Sequence, residues 1–184
     1  MSGQSIWRNL FHFSGIVIPL AYLLINRGAA LGFTTLLFCV LLVVEFLRIT
    51  GRLKLGMAGK FLKEKEAKKP TGSLFYVVAA LVVILLFRRE VATCALFVLC
   101  ISDPLSSLVG RRLGRHPLLG KSIEGTLAFF GSSLIILLLF SVGLFVALAV
   151  ALVATLTELF TPGFLDDNLT IPIMTGLTLT ILGP

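Results

Sequence analysis

Charged residues are scarce in this chain: they make up 14% of its 184 residues, whereas soluble globular proteins carry about a quarter. Apolar residues account for 57%, and the mean hydropathy is +1.04. These values exclude a soluble domain of ordinary composition, and no polar segment is long enough to form a separate soluble catalytic domain. Any chemistry is therefore expected at a membrane surface.

Cysteine is rare as well. Cys39, Cys94 and Cys100 lie inside apolar runs and lack the spacing of a metal site or a disulfide framework. We expect them to be small apolar core residues, and they indicate nothing about the redox compartment.

What the chain has instead is a series of long apolar segments. A transmembrane helix needs about 20 apolar residues, so these segments predict about seven crossings. The predicted fold is all-α: a polytopic membrane bundle formed by one domain, residues 1–184. The spans are expected at about 6–26, 29–46, 73–87 and 91–108, two within 126–160 that divide near Ser141–Gly143, and a short one at 169–182 that contains Pro172. No cleavage site follows the first residues, so the first span is expected to be retained.

Basic residues predict the orientation of the bundle. Counted loop by loop, thirteen of the sixteen lysines and arginines fall on the side of the N-terminus. Eight of them lie in the basic loop, residues 48–71, and only Arg27, Arg88 and Arg89 fall on the opposite side. Because positive loops stay in the cytoplasm, the N-terminus is expected there. Nucleic acid is a poor partner, since these residues lie in loops between spans.

A polar hinge interrupts the apolar sequence at Asp103–Gly125, DPLSSLVGRRLGRHPLLGKSIEG. A charged, glycine-rich segment between two membrane spans is costly unless it binds something polar, such as a nucleotide phosphate. The segment GRHPLLGKS is not a Walker P-loop, because five residues separate its glycines and no strand precedes it. Glycines still allow close backbone approach, and a helix that begins near Ser122 would present free N–H groups to an anion.

Each polar residue also has a plainer interpretation. Ser122 could simply cap a helix, as could Asp166 and Asp167, and Arg111 or Arg112 could neutralise Asp103. His12 in the first span is as well explained by a hydrogen bond to a neighbouring helix as by a function. Glu45 and Arg48, three residues apart, predict an ion pair at the membrane interface.

The motifs taken together resemble the CTP-dependent lipid kinases, a family that includes dolichol and polyprenol kinases, phytol kinases and CTP-dependent diacylglycerol kinases. The hinge matches the pattern D-x-x-[AS]-x-x-x-G-x-x-x-G followed by KS-x-EG-[ST]. RNLFHFSG, the spacing of Glu66 and Gly72, and FLDDNLTIP are similar to three further motifs of that family. The resemblance runs along almost the whole chain.

The resemblance implies transfer of the CTP γ-phosphate to the hydroxyl of a membrane lipid alcohol, assisted by Mg²⁺ or another divalent cation. Polyprenol or dolichol is the favoured acceptor, and a phytol-like alcohol or diacylglycerol is the other candidate. Among the residues that match the motifs, we assign Asp103, Lys121, Asp167 and His12 as candidate catalytic residues and Asp103, Asp166 and Asp167 as candidate metal ligands. The implied nucleotide-binding residues are Gly110, Arg111, Arg112, Gly114, Lys121, Ser122, Glu124, Gly125, Asn168 and Glu66. They belong to the hinge, residues 109–125, the acidic loop, residues 161–168, and the basic loop.

Two alternatives stay open. The hinge also resembles that of phosphatidate cytidylyltransferase, a related CTP-using enzyme, but the longer PKKTxEG segment and the C-terminal signature of that enzyme are missing from this sequence. A small transporter or lipid-binding protein would be expected to show midplane charges and internal repeats, and we find no convincing repeat. The oligomeric state is not predicted, and a homodimer stays open.

Overall fold

The computed structural model describes residues 15–52, 70–161 and 165–183, and within them the predicted all-α fold is confirmed. The helices are α1 (Val17–Leu24), α2 (Arg27–Ile49), α3 (Gly72–Leu86), α4 (Arg89–Phe97), α5 (Asp103–Leu113), α6 (Ile123–Leu139), α7 (Leu144–Phe160) and α8 (Asp167–Leu182). A π-helical turn, Val98–Ser102, joins α4 to α5 without a break. Two strands of two residues each, β1 (Pro117–Leu118) and β2 (Lys121–Ser122), form a small antiparallel hairpin in the hinge.

The breaks between helices lie close to the positions that the sequence predicts. The apolar run 126–160 divides where expected, because α6 ends at Leu139 and α7 begins at Leu144. Ser141 between them adopts a φ of 59°, a left-handed conformation that no helix interior contains. The last helix is short, as predicted: its 16 residues span about 24 Å at 1.5 Å per residue.

Two helices in the described part of the chain are long and apolar enough to cross a membrane, judged by length and composition. They are Arg27–Ile49, with 23 residues, and the continuous helix Arg89–Leu113, with 25. Three shorter apolar helices, α3, α6 and α7, have 15 to 17 residues. The expected first span is represented here by α1 alone, because its earlier residues lie outside the described ranges.

Two apolar cores hold the helices together, and α4 contributes to both. One core joins α1, α2, α3 and α4 through side chains such as Tyr22, Val83 and Leu96. The other joins α4 and the π-helical turn to α6, α7 and α8 through side chains such as Phe129 and Ile171. The helix Arg89–Leu113 is therefore the central element, and α2 lies at the periphery with most of its apolar surface exposed.

Arginines cap helix ends at one end of the bundle. Arg89 donates hydrogen bonds to the carbonyl oxygens of Tyr22, Leu23 and Ile25 at the end of α1, and its guanidinium lies 5.5 Å from the centre of the Tyr22 ring. Arg27 donates to the carbonyl of Leu85 at the end of α3. These carbonyls have no partner inside their own helices, so the two arginines stabilise these helix ends. Tyr22 itself is almost fully buried.

The π-helical turn explains how α5 begins with Asp103–Pro104. Proline has no N–H to donate and its ring crowds the preceding turn, so an α-helix cannot run through Pro104 undisturbed. The chain instead widens over Val98–Ser102 and resumes as α5, with proline in its first turn. The disturbance takes the form of a π-helical turn, a feature frequent at functional sites.

Candidate active site

The hinge hairpin directs Lys121 and Ser122 to opposite sides. Leu119 and Gly120, between the two strands, have φ values of 47° and 82°, the positive pair that a tight two-residue hairpin requires. Successive side chains of a strand point to opposite faces. Ser122 therefore turns back to accept a hydrogen bond from the N–H of Gly125, 3.1 Å away, and caps α6, while Lys121 points toward α7 and α8.

Lys121 lies between two carboxylates that are distant in sequence. Its Nζ is 2.7 Å from Oε1 of Glu158, near the end of α7, and 3.5 Å from Oδ2 of Asp167, at the start of α8. Nζ also donates to the main-chain carbonyl of Glu158. The hinge and the acidic segment therefore meet at one end of the bundle, and Lys121 connects them.

Glu158 is the residue of this cluster that the sequence analysis missed. Its side chain is 3% exposed, and besides Lys121 its Oε1 has the hydroxyl of Ser106 at 3.4 Å. The charges of Asp103 and Asp167 both act on it. Its Oε2 is buried and has no hydrogen-bond partner among the described residues. A single acid near the end of the apolar run 126–160 was the available signal, because an ionisable residue in such a run is costly to bury.

Close helix packing accounts for the three glycines of the hinge. A Cβ added at Gly110 would lie 2.9 Å from Oγ of Ser122, and one at Gly114 would lie 2.8 Å from the same atom. A Cβ at Gly125 would lie 3.0 Å from the carbonyl oxygen of Ser106 and 3.2 Å from Cα of Gly110. The backbones of α5 and α6 are thus in direct contact. The implied role of these glycines in nucleotide binding stays a prediction beside this packing role.

Glu124 stabilises the entry to α6. Its Oε1 lies 2.8 Å from Nδ1 of His116, on the other side of the hairpin. Hydrogen bonds from its own backbone N–H and from His116 lower the pKa of Glu124 to about 2. The carboxylate is consequently charged at neutral pH, and its contact with His116 spans the hairpin.

The start of α8 uses Asp166 as its cap. Oδ1 of Asp166 accepts the backbone N–H of Asn168 at 3.0 Å and the side-chain amide of Asn168 at 2.6 Å. Gly72, the first residue of α3, packs so closely that an added Cβ would lie 2.7 Å from Nδ2 of Asn168. The plainer interpretation of Asp166 as a helix cap is confirmed, and the cap ties α8 to α3.

The Glu45–Arg48 ion pair is confirmed and is more buried than an interface pair would be. Oε2 of Glu45 accepts from Nε of Arg48 at 3.0 Å, and both side chains are less than 10% exposed. Oε1 of Glu45 accepts the backbone N–H of Thr71, at the start of α3, at 3.3 Å. The pair thus joins the end of α2 to the start of α3.

Apart from Ser122, Glu124 and the three glycines of the hinge, the predicted site residues fall into three groups. Lys121, Asp167 and Asp103 gather around Glu158, while Asp166 and Asn168 form the adjoining cap. Arg111 and Arg112 are exposed in the last turn of α5. His12, Glu66 and most of the basic loop lie outside the described residues.

The predicted divalent cation does not fit the described residues as they stand. Lys121 occupies the space between Glu158 and Asp167, and Asp166 directs Oδ1 to Asn168 instead of toward that space. Within residues 15–52, 70–161 and 165–183, no group of three or more His, Cys, Asp or Glu side chains could hold a metal ion. The metal stays a prediction.

Comparison with known proteins gives one relative. The chain is 29% identical over 191 residues to a protein of Rickettsia prowazekii (strain Madrid E) named "Uncharacterized protein RP860". The alignment covers 95% of this chain and 92% of that protein, so the similarity extends over both proteins almost completely. No family model matches the chain, and no solved structure matches it. The relative's name assigns no activity, so the function has to be argued from the site.

Proposed function

We propose that the chain is a membrane-embedded kinase that transfers the γ-phosphate of CTP to the hydroxyl of a lipid alcohol, with polyprenol or dolichol as the favoured acceptor. The observation that carries the proposal is the contact of Lys121 with Asp167 at the end of the bundle that also holds the hinge. Phosphoryl transfer needs positive charge around the phosphates and a positioned hydroxyl. The ammonium group of Lys121 supplies the positive charge, and the carboxylate of Asp167 beside it can accept the proton of the hydroxyl.

Exposed apolar side chains support embedding in a bilayer. Leu36 on α2, Leu139 on α6 and Phe145 on α7 are 64%, 78% and 87% exposed. A water-soluble protein rarely keeps a large contiguous apolar surface of this kind. Because the helices alternate in direction, we propose that seven segments cross the membrane, with the N-terminus and the Lys121 end of the bundle at the cytoplasmic face.

The proposed reaction assigns separate tasks to the residues around Lys121. The lipid hydroxyl attacks the γ-phosphorus, a new O–P bond forms, and the bond to the β,γ-bridging oxygen breaks so that CDP leaves with the electron pair. The hydroxyl proton passes to Asp167, because its side chain is 35% exposed and an entering alcohol can reach it, whereas Glu158 is only 3% exposed. Glu158 holds Lys121 in position. The choice of CTP over ATP rests on the resemblance.

Product analysis tests the proposal. Purified protein in lipid is incubated with γ-labelled CTP, Mg²⁺ and separate lipid alcohols, and we expect labelled lipid phosphate and free CDP. Release of pyrophosphate would point instead to the cytidylyltransferase reaction. Asp167→Asn should lower the rate at least about 100-fold, the usual contribution of a general base. Glu90→Gln, an exposed acid at the opposite end of the bundle, is the matched control and should keep the activity. No label on any alcohol, or an unchanged rate in Asp167→Asn, would contradict the proposal.

A further inference from the structure

A cavity of about 210 Å³ lies between α1, α2 and α3, beside the π-helical turn. Its walls are mostly apolar: Val17 and Ile18 come from α1, Phe33, Leu37 and Leu41 from α2, and Val77 from α3. The three α2 residues recur every four positions, so they form one stripe along that helix. Neither the packing of the two cores nor the reaction at Lys121 uses this space.

One end of the cavity is polar and adjoins the Lys121 cluster. Gly72, Ser73 and Asn168 line it there, at the start of α3 and of α8. Asn168 directly follows Asp167, whose carboxylate contacts Lys121. A hydroxyl at this end of the cavity would therefore lie beside the first turn of α8, the turn that also carries the carboxylate in contact with Lys121.

The cavity also has an opening to the outside of the bundle. Phe33 lines it and yet is 45% exposed, and it stands on the apolar outer surface of α2. In a membrane-embedded bundle this surface faces the hydrocarbon. A lipid tail can therefore enter from the bilayer without passing through water.

The size of the cavity restricts what it holds. An engineered apolar cavity of about 150 Å³ binds benzene, which corresponds to roughly 25 Å³ per carbon atom. At that ratio about 210 Å³ accommodates roughly eight carbon atoms, a volume that favours the first part of one chain over two chains. The rest of a longer chain would remain in the bilayer.

We propose that this cavity binds the hydroxyl-proximal part of a single-chain lipid alcohol, with the hydroxyl at the Ser73–Asn168 end and the chain leaving past Phe33. The proposal deepens the proposed function, on which it rests for the identity of the acceptor. It excludes diacylglycerol as the preferred acceptor, since two chains diverge close to its hydroxyl.

Photo-crosslinking tests the site without nucleotide. The probe is a long straight-chain alcohol with a diazirine a few carbons from its hydroxyl, added to the purified protein in lipid and followed by peptide mapping. We expect label on the α2 stripe and on the start of α3, competed by unlabelled polyprenol and not by dioleoylglycerol. Label confined to the outer surface of the bundle would overturn the proposal, as would equal competition by dioleoylglycerol.

Two adjacent residues of α2 provide matched variants. Leu37→Trp fills the cavity and should lower labelling about tenfold, a loss equivalent to about 1.4 kcal/mol of binding free energy. Leu36→Trp changes a neighbouring side chain that is 64% exposed and should leave labelling unchanged. Leu37→Phe, a smaller change, serves if the tryptophan variant does not fold. Equal labelling of the Leu37 and Leu36 variants would overturn the proposal.

The outcome can be separated from that of the kinase assay. Label in the cavity without phosphate transfer from CTP would leave the binding site standing and remove the kinase function. Phosphate transfer from CTP with the label elsewhere would leave the kinase function standing and remove the cavity as the binding site. In an active enzyme, Leu37→Trp should raise KM for the alcohol and leave KM for CTP unchanged.

Discussion

Removing the charge of Lys121 should destabilise the protein mainly through the acid that it leaves behind. Glu158 is 3% exposed, and in Lys121→Met its carboxylate would keep only the hydroxyl of Ser106 as a described partner. Breaking a fully buried ion pair costs about 3–5 kcal/mol, whereas exposed pairs contribute about 0.2–1 kcal/mol. Because the side chain of Lys121 is 33% exposed, the expected loss lies between these ranges, at about 2–3 kcal/mol.

A double-mutant cycle isolates this contribution. In Lys121→Met/Glu158→Gln no buried charge is left unpaired, so the double variant should be more stable than the sum of the single losses predicts. We expect a coupling free energy of about 2 kcal/mol. The assay is unfolding in mixed micelles with increasing sodium dodecyl sulfate, followed by far-ultraviolet circular dichroism.

The control cycle pairs Lys121→Met with Glu90→Gln at the other end of the bundle, and distant sites should couple by less than about 0.5 kcal/mol. A coupling free energy below about 0.5 kcal/mol in the Lys121–Glu158 cycle would refute the predicted loss of stability, because it would mean that the buried carboxylate does not depend on the lysine. The double variant should stay inactive in phosphate transfer even if it is stable, since it lacks the cation.

Three further predictions concern the surrounding framework. Gly125→Ala should cost about 1–3 kcal/mol of stability in the same unfolding assay, because the added methyl group would crowd α5. Gly131 has open space around it, so Gly131→Ala should be neutral or slightly stabilising. Equal effects of the two variants would refute the packing role of Gly125. Arg89→Met should cost about 1–2 kcal/mol of stability, because three hydrogen bonds to main-chain carbonyls are lost. The control Arg88→Met should change stability by less than about 0.5 kcal/mol. An unchanged stability of Arg89→Met would contradict the capping role. The folded-state pKa of Glu124 lies below its ordinary value of 4.5, so its contribution to stability should be complete above pH 4.5 and disappear as the pH falls toward about 2. The ¹³C chemical shift of the carboxyl group would follow this titration. A titration midpoint at or above 4.5 would contradict the prediction.

Much of the framework could be predicted because its causes are local. Ser141–Gly143 interrupts an apolar run too long for one crossing, and the break lies there. Glu45 and Arg48 are three residues apart on one helix, so their pairing follows from helix geometry alone. Because successive helices alternate in direction, seven segments place the hinge and the acidic segment at one end of the bundle, and the contact between Lys121 and Asp167 agrees with this.

The details of the site depend on interactions between segments, which periodicity does not encode. The π-helical turn arises where Pro104 meets the packing of a central helix, and a proline alone predicts only a disturbance. The hinge glycines could be interpreted as phosphate-binding residues, yet each has a packing reason that appears only when α5 and α6 are side by side.

The sequence by itself determined the apolar helices, their breaks and the end of the bundle at which the polar segments gather, because hydropathy and helix direction are properties of neighbouring residues. Only the tertiary structure decided that Lys121 faces Glu158 and that a cavity beside α2 reaches Asn168. A buried charge is stabilised by whatever partner the packing brings to it, and that partner lies 37 residues away along the chain.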